Sequence, residues 1–403
     1  MKRHLREKSY AILLTLLLIS PSIIFFSNIA KSENIVTLRN DTALFTEIDE
    51  NITRIMKQEN ISSISACIIK NNSIVWYKGY GYFDKFFKKK PTADTDYLAG
   101  STSKAITATA LMQLYEQGKF KLEDDVNNYL PFSLRNPNHL DEPITFEMLM
   151  SHQSSLAAEK NFKILITTNI VAFLRSYNRY FVPGHLLYDP SIWTKNLPGE
   201  VFNYSNLGFG ILSYLVEILS GQSFNEYCKE HIFKPLEMYN TSFRLLDLKR
   251  SNVAIPYTEG KSTILRLPRY AVPMSGAGGL ITSINDISHF LIAHMNGGMY
   301  NETRILNESS IEIMHTIRSY YSEIDSYFGL GWMIFLKNGT RYEGHHGDAI
   351  GSHCRMKYRE ADKKGVIFLF NGDPTFKGIE RQIHYLNSIK LICDELFKKA
   401  DEL

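Results

Sequence analysis

Apolar-rich, strand-like runs occupy residues 65–70 and 74–82 near the start of the chain, and 332–336, 353–358 and 366–371 near its end. Helical spacing predicts helices over residues 105–112, which are alanine-rich, over the apolar 207–219, and over 378–399. The early strands are expected to pair with the late ones, so that the first and last parts form one α/β domain carrying the terminal helix. The middle of the chain supplies the remaining helices. Ahead of all this, an apolar run over residues 11–26, interrupted by Pro21, follows Lys2, Arg3, Arg6 and Lys8. That order of charge and apolarity reads as a signal peptide or signal anchor within residues 1–32, with the remainder facing away from the cytosol.

Three segments carry candidate chemistry. Ser101-Thr102-Ser103-Lys104 opens directly into the alanine-rich helix. Residues three apart share a helix face, which sets the Ser101 hydroxyl beside the Lys104 amine at the helix N-terminus. A serine hydroxyl is inert at neutral pH, and a neighbouring amine of lowered pKa can take its proton. About a hundred residues on, Tyr204 and Asn206 stand two apart in a turn before the apolar helix. There Tyr204 can relay a proton and Asn206 can orient Lys104 or a substrate carbonyl. The third segment, Gly344-His345-His346-Gly347, lies between two strand-like runs. A cationic or hydrogen-bonding side chain with a glycine close behind lets a substrate lie against backbone. A turn with a packed tyrosine, and a turn with two surface histidines, are the plainer readings of the second and third segments.

With these three elements in this order, the chain resembles the serine β-lactamase and penicillin-binding-protein superfamily, in the branch holding class C β-lactamases, D-alanyl-D-alanine carboxypeptidases and related esterases. The likeness runs from about residue 48 to about residue 395 and includes Leu122-Glu123-Asp124-Asp125-Val126, Leu149-Met150-Ser151-His152, Ser275-Gly276-Ala277-Gly278-Gly279-Leu280 and Phe328-Gly329-Leu330-Gly331-Trp332. It implies an α/β (α+β) fold: an antiparallel sheet flanked by helices, joined to a mostly helical domain, with the cleft between them. On that pattern a catalytic domain occupies residues 45–398, its α/β part 45–125 and 325–398, its helical part 126–324.

The resemblance also implies roles. Ser101 matches the acylated nucleophile, Lys104 its activator, Tyr204 the general base and leaving-group acid, Asn206 their neighbour and His345 the third-motif position. Gly347 and Asp348 match substrate-binding positions, and the oxyanion hole would be formed by the backbone N–H groups of Ser101 and Asp348, each such donor contributing about 3 kcal/mol. The activity implied is cleavage of an ester or amide through an acyl-enzyme on Ser101, with β-lactam or D-Ala-D-Ala peptide hydrolysis as one alternative and a catalytically silent relative as another.

Asp348 departs from the family pattern, which places a small or hydroxyl residue there. A carboxylate beside a substrate carboxylate is unfavourable, so Asp348 argues for a neutral or amine-bearing ester or amide, unless its side chain bonds outside the cleft. His346, if protonated, would offset the charge. Ser154-Ser155-Leu156 is a second, minor departure. Residues 157–197 carry no readable motif and are expected to shape the cleft wall or a lid.

Composition changes this picture little. The chain of 403 residues is 44% hydrophobic and 22% charged with net charge +3, as expected of a globular enzyme able to bury a large core. No basic stripe interleaved with aromatics supports nucleic-acid binding. The one local cluster, Phe86-Phe87-Lys88-Lys89-Lys90, reads as an exposed hairpin end before Pro91. Partners are thus a small-molecule or peptide substrate and, if the N-terminal segment is retained, a membrane. Asn-x-Ser/Thr sequons at Asn40, Asn51, Asn60, Asn71, Asn203, Asn240, Asn301, Asn307 and Asn338 are glycan acceptors if the host glycosylates, with Asn203 expected bare beside Tyr204. Ala400-Asp401-Glu402-Leu403 resembles an endoplasmic-reticulum retrieval signal, or is the frayed end of a helix. Cys67, Cys228, Cys354 and Cys393 are too dispersed for a disulfide scaffold or a zinc site, and the reading needs no metal and no cofactor.

Overall fold

The computed structural model describes residues 46–157, 181, 183–184, 188–260, 263–374 and 377–403. The N-terminal apolar run, the sequon at Asn40 and most of the cleft-wall segment 157–197 lie outside the described residues.

Eight antiparallel strands form the main sheet: β1 (Ser63–Lys70), β2 (Ser73–Gly81), β3 (Ser319–Tyr321), β4 (Ser326–Phe328), β5 (Met333–Lys337), β6 (Thr340–Ala349), β7 (Ser352–Arg359) and β8 (Lys364–Asn371), in the order β2-β1-β8-β7-β6-β5-β4-β3. The start and end of the chain meet where β1 pairs with β8, from Ser63 opposite Asn371 to Ile69 opposite Gly365. β2 does not reach the late strands. It pairs with β1 alone and forms one edge, because Asn71 and Asn72 (φ +51° and +60°) close the two strands into a tight hairpin, and asparagine tolerates that left-handed backbone.

Period-two alternation assigns the side chains of the central strands to two cores. Ile64, Ala66, Ile68, Val366, Phe368 and Phe370 meet α1 (Thr46–Gln58) and α5 (Ile379–Glu402) on one face. Cys67, Ile69, Ile367, Leu369, Cys354 and Met356 belong to the core of the other face, which takes in α2 (Ser103–Glu116), α3 (Asn206–Ser220) and α4 (Ile284–Met295). Every residue of α2 from Ser103 to Leu114 is buried, so this helix is enclosed on all sides. It is held at the centre of the molecule with its N-terminus at the junction of sheet and helices.

α5 continues past the expected residue 399 to Glu402, with Asp401 accepting hydrogen bonds from Arg359 and Lys364; the chain's last turn is folded, not frayed. The four cysteines are free thiols, three of them buried. Among the described residues no single helix is long and apolar enough to cross a membrane.

Candidate active site

Helix α2 begins two residues after Ser101. Ser101 lies in the turn before Ser103, with the Lys104 N–H donating to the Ser101 carbonyl at 2.9 Å. Ser103 pins this turn: its hydroxyl donates to the Gly100 carbonyl at 2.6 Å and accepts the Leu280 N–H at 2.9 Å. Ser101 is half-buried, whereas Lys104 is fully buried. The Lys104 Nζ lies 3.0 Å from Ser101 Oγ, 2.6 Å from Asn206 Oδ1 and 2.7 Å from the Ala277 carbonyl, and 4.8 Å from the centre of the Tyr204 ring. Asn206 therefore orients Lys104. The distance to Ser101 is within reach of direct proton transfer.

Strand β6 supplies the opposite wall. The third motif is not a turn; it lies inside the strand. β5 pairs with β6 only as far as Met333 opposite Gly344, so from His345 onward β6 has β7 on one side and an open edge on the other. The His346 N–H points to that open side, toward Met333 Sδ. Residues two apart in a strand direct their N–H groups the same way, so the Asp348 N–H points there too. Gly100, just before Ser101, closes on it: a Cβ built there would lie 2.7 Å from the Asp348 nitrogen, a contact only glycine allows, and φ at Gly100 is +54°. Gly347 is required for the same reason, since a Cβ there would fall 1.7 Å from the Ala99 carbonyl oxygen. The Ser101 N–H makes no hydrogen bond among the described residues. Ser101 and Asp348 thus present adjacent N–H donors, an arrangement suited to an oxyanion.

The Asp348 side chain points the other way. Its carboxylate bonds to Arg355 at 2.8 Å and to His353 at 2.7 Å on the α1 and α5 face. Lost solvation opposes its ionisation, but the Arg355 guanidinium and the His353 ring outweigh this and hold the carboxyl well below the usual range. The expectation of a carboxylate-averse cleft is therefore corrected: alternation along β6 removes the charge from the cleft and leaves the N–H. Nor does His346 offset the charge. It shares the outer face, stacks on Phe335 at 4.9 Å, and is kept neutral by burial and then by Lys357 and Arg355.

His345 faces the cleft core, wholly buried. Burial first, then Lys104, push its pKa down to about 3, so it is no cation at neutral pH. Its Nδ1 lies 2.6 Å from the His346 carbonyl, which can only accept, so Nδ1 carries the proton and Nε2 is a bare acceptor. That Nε2 is buried without a hydrogen-bond partner.

His152 is the residue that sequence reasoning passed over. Its carbonyl accepts the Asn203 N–H at 2.7 Å and its Nδ1 accepts the Ser205 N–H at 3.1 Å, so it grips the chain on both sides of Tyr204. Its ring also stacks on the Tyr204 ring at 4.4 Å. The backbone of His152 is left-handed (φ +61°), an unusual conformation for a side-chain-bearing residue and of the kind found where structure serves a site. Burial, followed by Lys104 and His345, keeps it neutral. The signal available in the sequence was its place in Leu149-Met150-Ser151-His152. Phe202, Tyr321 and Phe328 gather around Tyr204 and His152 as an aromatic wall, and no periodicity announced it.

Residues 48–387 match the family model described as Beta-lactamase. The chain belongs to the Beta-lactamase family. It is 28% identical over 260 residues to Protein flp of Staphylococcus aureus strain MW2, which is 64% of this chain and 50% of that protein. It is 29% identical over 325 residues to the Putative penicillin-binding protein PbpX of Bacillus subtilis strain 168, 80% of this chain and 74% of the relative. The match thus spans half the length of the strain MW2 protein. The octameric penicillin-binding protein homologue from Pyrococcus abyssi superposes with a TM-score of 0.69 at 27% identity, over 82% of this chain and 73% of that one. D-amino acid amidase from Ochrobactrum anthropi SV3, complexed with L-phenylalanine amide, gives 0.71 at 18% identity over 90% and 98%, a likeness of fold alone. The expected antiparallel sheet flanked by helices is the Beta-lactamase family's fold in this chain, and membership supports serine hydrolase activity in general.

Proposed function

We propose that this protein cleaves an ester or amide through an acyl-enzyme on Ser101. The observation that carries the reading is the Lys104 Nζ, buried and 3.0 Å from Ser101 Oγ, with Asn206 fixing it from the other side. Ser101 Oγ attacks the substrate carbonyl carbon as its proton passes to the Lys104 and Tyr204 pair. The oxyanion is held by the N–H groups of Ser101 and Asp348. Collapse expels the leaving group, which takes that proton, and water then repeats the sequence on the acyl-enzyme to release the acid.

A second reading, β-lactam or D-Ala-D-Ala peptide hydrolysis, gains from the outward Asp348 carboxylate, which leaves the cleft free to admit a substrate carboxylate. The two separate by intact-mass measurement after exposure to a fluorophosphonate and, in parallel, to penicillin, with Ser101→Ala as control. An adduct on Ser101 from the fluorophosphonate alone supports the ester or amide hydrolase. An adduct from penicillin as well moves the assignment to the second reading, and no adduct from either rejects both in favour of a silent relative.

A further inference from the structure

Beyond the site, one surface feature asks for a partner. After β2 the chain crosses an exposed turn over residues 84–91 whose base is tied down. Asp84 Oδ1 accepts the N–H groups of Phe86 and Phe87 at 3.1 and 3.3 Å, the Phe83 N–H meets the Lys89 carbonyl at 2.9 Å, and the Lys85 N–H meets the Tyr257 hydroxyl at 2.9 Å. The tip therefore holds one shape. Phe86 and Phe87 project from it, 77% and 64% exposed, their rings edge to face at 4.8 Å.

Four lysines flank this pair in the sequence, Lys85, Lys88, Lys89 and Lys90; Lys85 Nζ lies 5.5 Å from the centre of the Tyr257 ring and Lys89 Nζ 5.9 Å from that of Phe87, and among the described residues none of the four forms an ion pair. Lys89 reaches across to the Ser251 carbonyl at 3.1 Å, which brings the turn holding Arg250 alongside. The only acid of the tip, Asp84, is buried and occupied by backbone N–H groups.

We propose that this turn docks the protein onto a lipid surface bearing anionic headgroups, the two phenylalanine rings entering the boundary between headgroups and acyl chains while the lysines meet the headgroup charge. A convex apolar tip needs a matching pocket on a protein partner, whereas a bilayer yields around it. Pairing with a second copy through the same patch would set lysines against lysines, a like-charge juxtaposition. The contact is independent of Ser101 chemistry.

Flotation of the full-length chain with phosphatidylcholine vesicles, with and without phosphatidylserine, tests the proposal, using the double variants Phe86→Ser/Phe87→Ser and Lys88→Glu/Lys90→Glu. Phosphatidylserine vesicles should carry the wild type, less so as salt rises, and each double variant should bind about tenfold more weakly or worse. Thermal midpoints should not move, because the substituted side chains are exposed. Undiminished binding by both variants would assign membrane affinity to the N-terminal segment and overturn the proposal. So would equal binding to neutral vesicles, a change of oligomeric state in the phenylalanine variant, or retention of an oligonucleotide in place of vesicles.

Discussion

His345 and His353 stand on the adjacent strands β6 and β7 and end in opposite electrostatic states. His345 faces the cleft, where burial and then Lys104 drive its pKa down to about 3. His353 faces α1 and α5. Burial opposes its charge as well, but Asp348 and Asp373, at 2.7 and 3.1 Å, win and raise its pKa. The difference lies in which face of the sheet each side chain takes. One face holds a neutral imidazole beside the buried Lys104 amine; the other holds a charged cluster that fixes the strand from behind.

The largest effects should come from the cleft face. Ser101→Ala should abolish the fluorophosphonate adduct, and Lys104→Ala should slow its formation by about a thousandfold or more. Lys104→Ala should also destabilise the fold by about 1–3 kcal/mol, since Asn206 Oδ1 and the Ala277 carbonyl lose their donor; chemical denaturation measures this. Gly347→Ala comes next. Its Cβ can be placed only if β6 moves away from Ala99, so labelling should fall with the melting temperature.

His152 is tested by two substitutions of different reach. Asparagine tolerates the left-handed backbone and can offer Oδ1 to the Ser205 N–H, so His152→Asn should cost about tenfold in kcat with KM nearly unchanged. His152→Leu loses both the acceptor and the stacked imidazole and should cost about a hundredfold. Equal activity of the leucine variant and the wild type would remove His152 from any positioning role.

Smaller still is Asp348→Asn on the outer face. Stability should fall by about 1 kcal/mol through the weakened Arg355 contact, while the labelling rate stays within about threefold, because the N–H remains. A large loss of rate with unchanged stability would return the carboxylate to the cleft.

The smallest effects are in pH dependence, and the two histidines should give opposite signs. His353 has a raised pKa in the folded state, so its contribution to stability is full below the unfolded value of 6.5 and is lost as pH rises through the folded value. His345 has a lowered one. The unfolded chain takes up a proton that the folded chain refuses, and stability is lost as pH falls from 6.5 toward about 3. In denaturation series, His353→Gln should flatten the first trend and His345→Gln the second.

Much of this architecture was legible in advance, unevenly. β1 and β8 read clearly because each buries both faces, and the long apolar period of α3 likewise permits one interpretation. β2 was placed against the wrong neighbours, since alternation reports which residues share a face and says nothing of which strand lies alongside; the Asn71-Asn72 turn decided that. β3 and β4, three residues each, are too short to show a period. In the site, Ser101, Lys104, Tyr204, Asn206 and His345 do converge. Asp348 was judged by its charge, when its place in the alternation of β6 sends that charge to the far face. His152 was invisible as a functional residue because its part is played through backbone conformation and two N–H groups, which leave little trace in residue type.

By itself, then, the sequence determined that Ser101 and Lys104 lie side by side, within one helical turn of each other, along with the apolar runs that build the sheet and α3. Local spacing suffices for both. Only the tertiary structure decided the protonation states of His345 and His353, the direction of Asp348 and the grip of His152 on the Tyr204 turn. Each depends on what a side chain meets across a strand edge or through a buried contact, between residues that lie far apart along the chain.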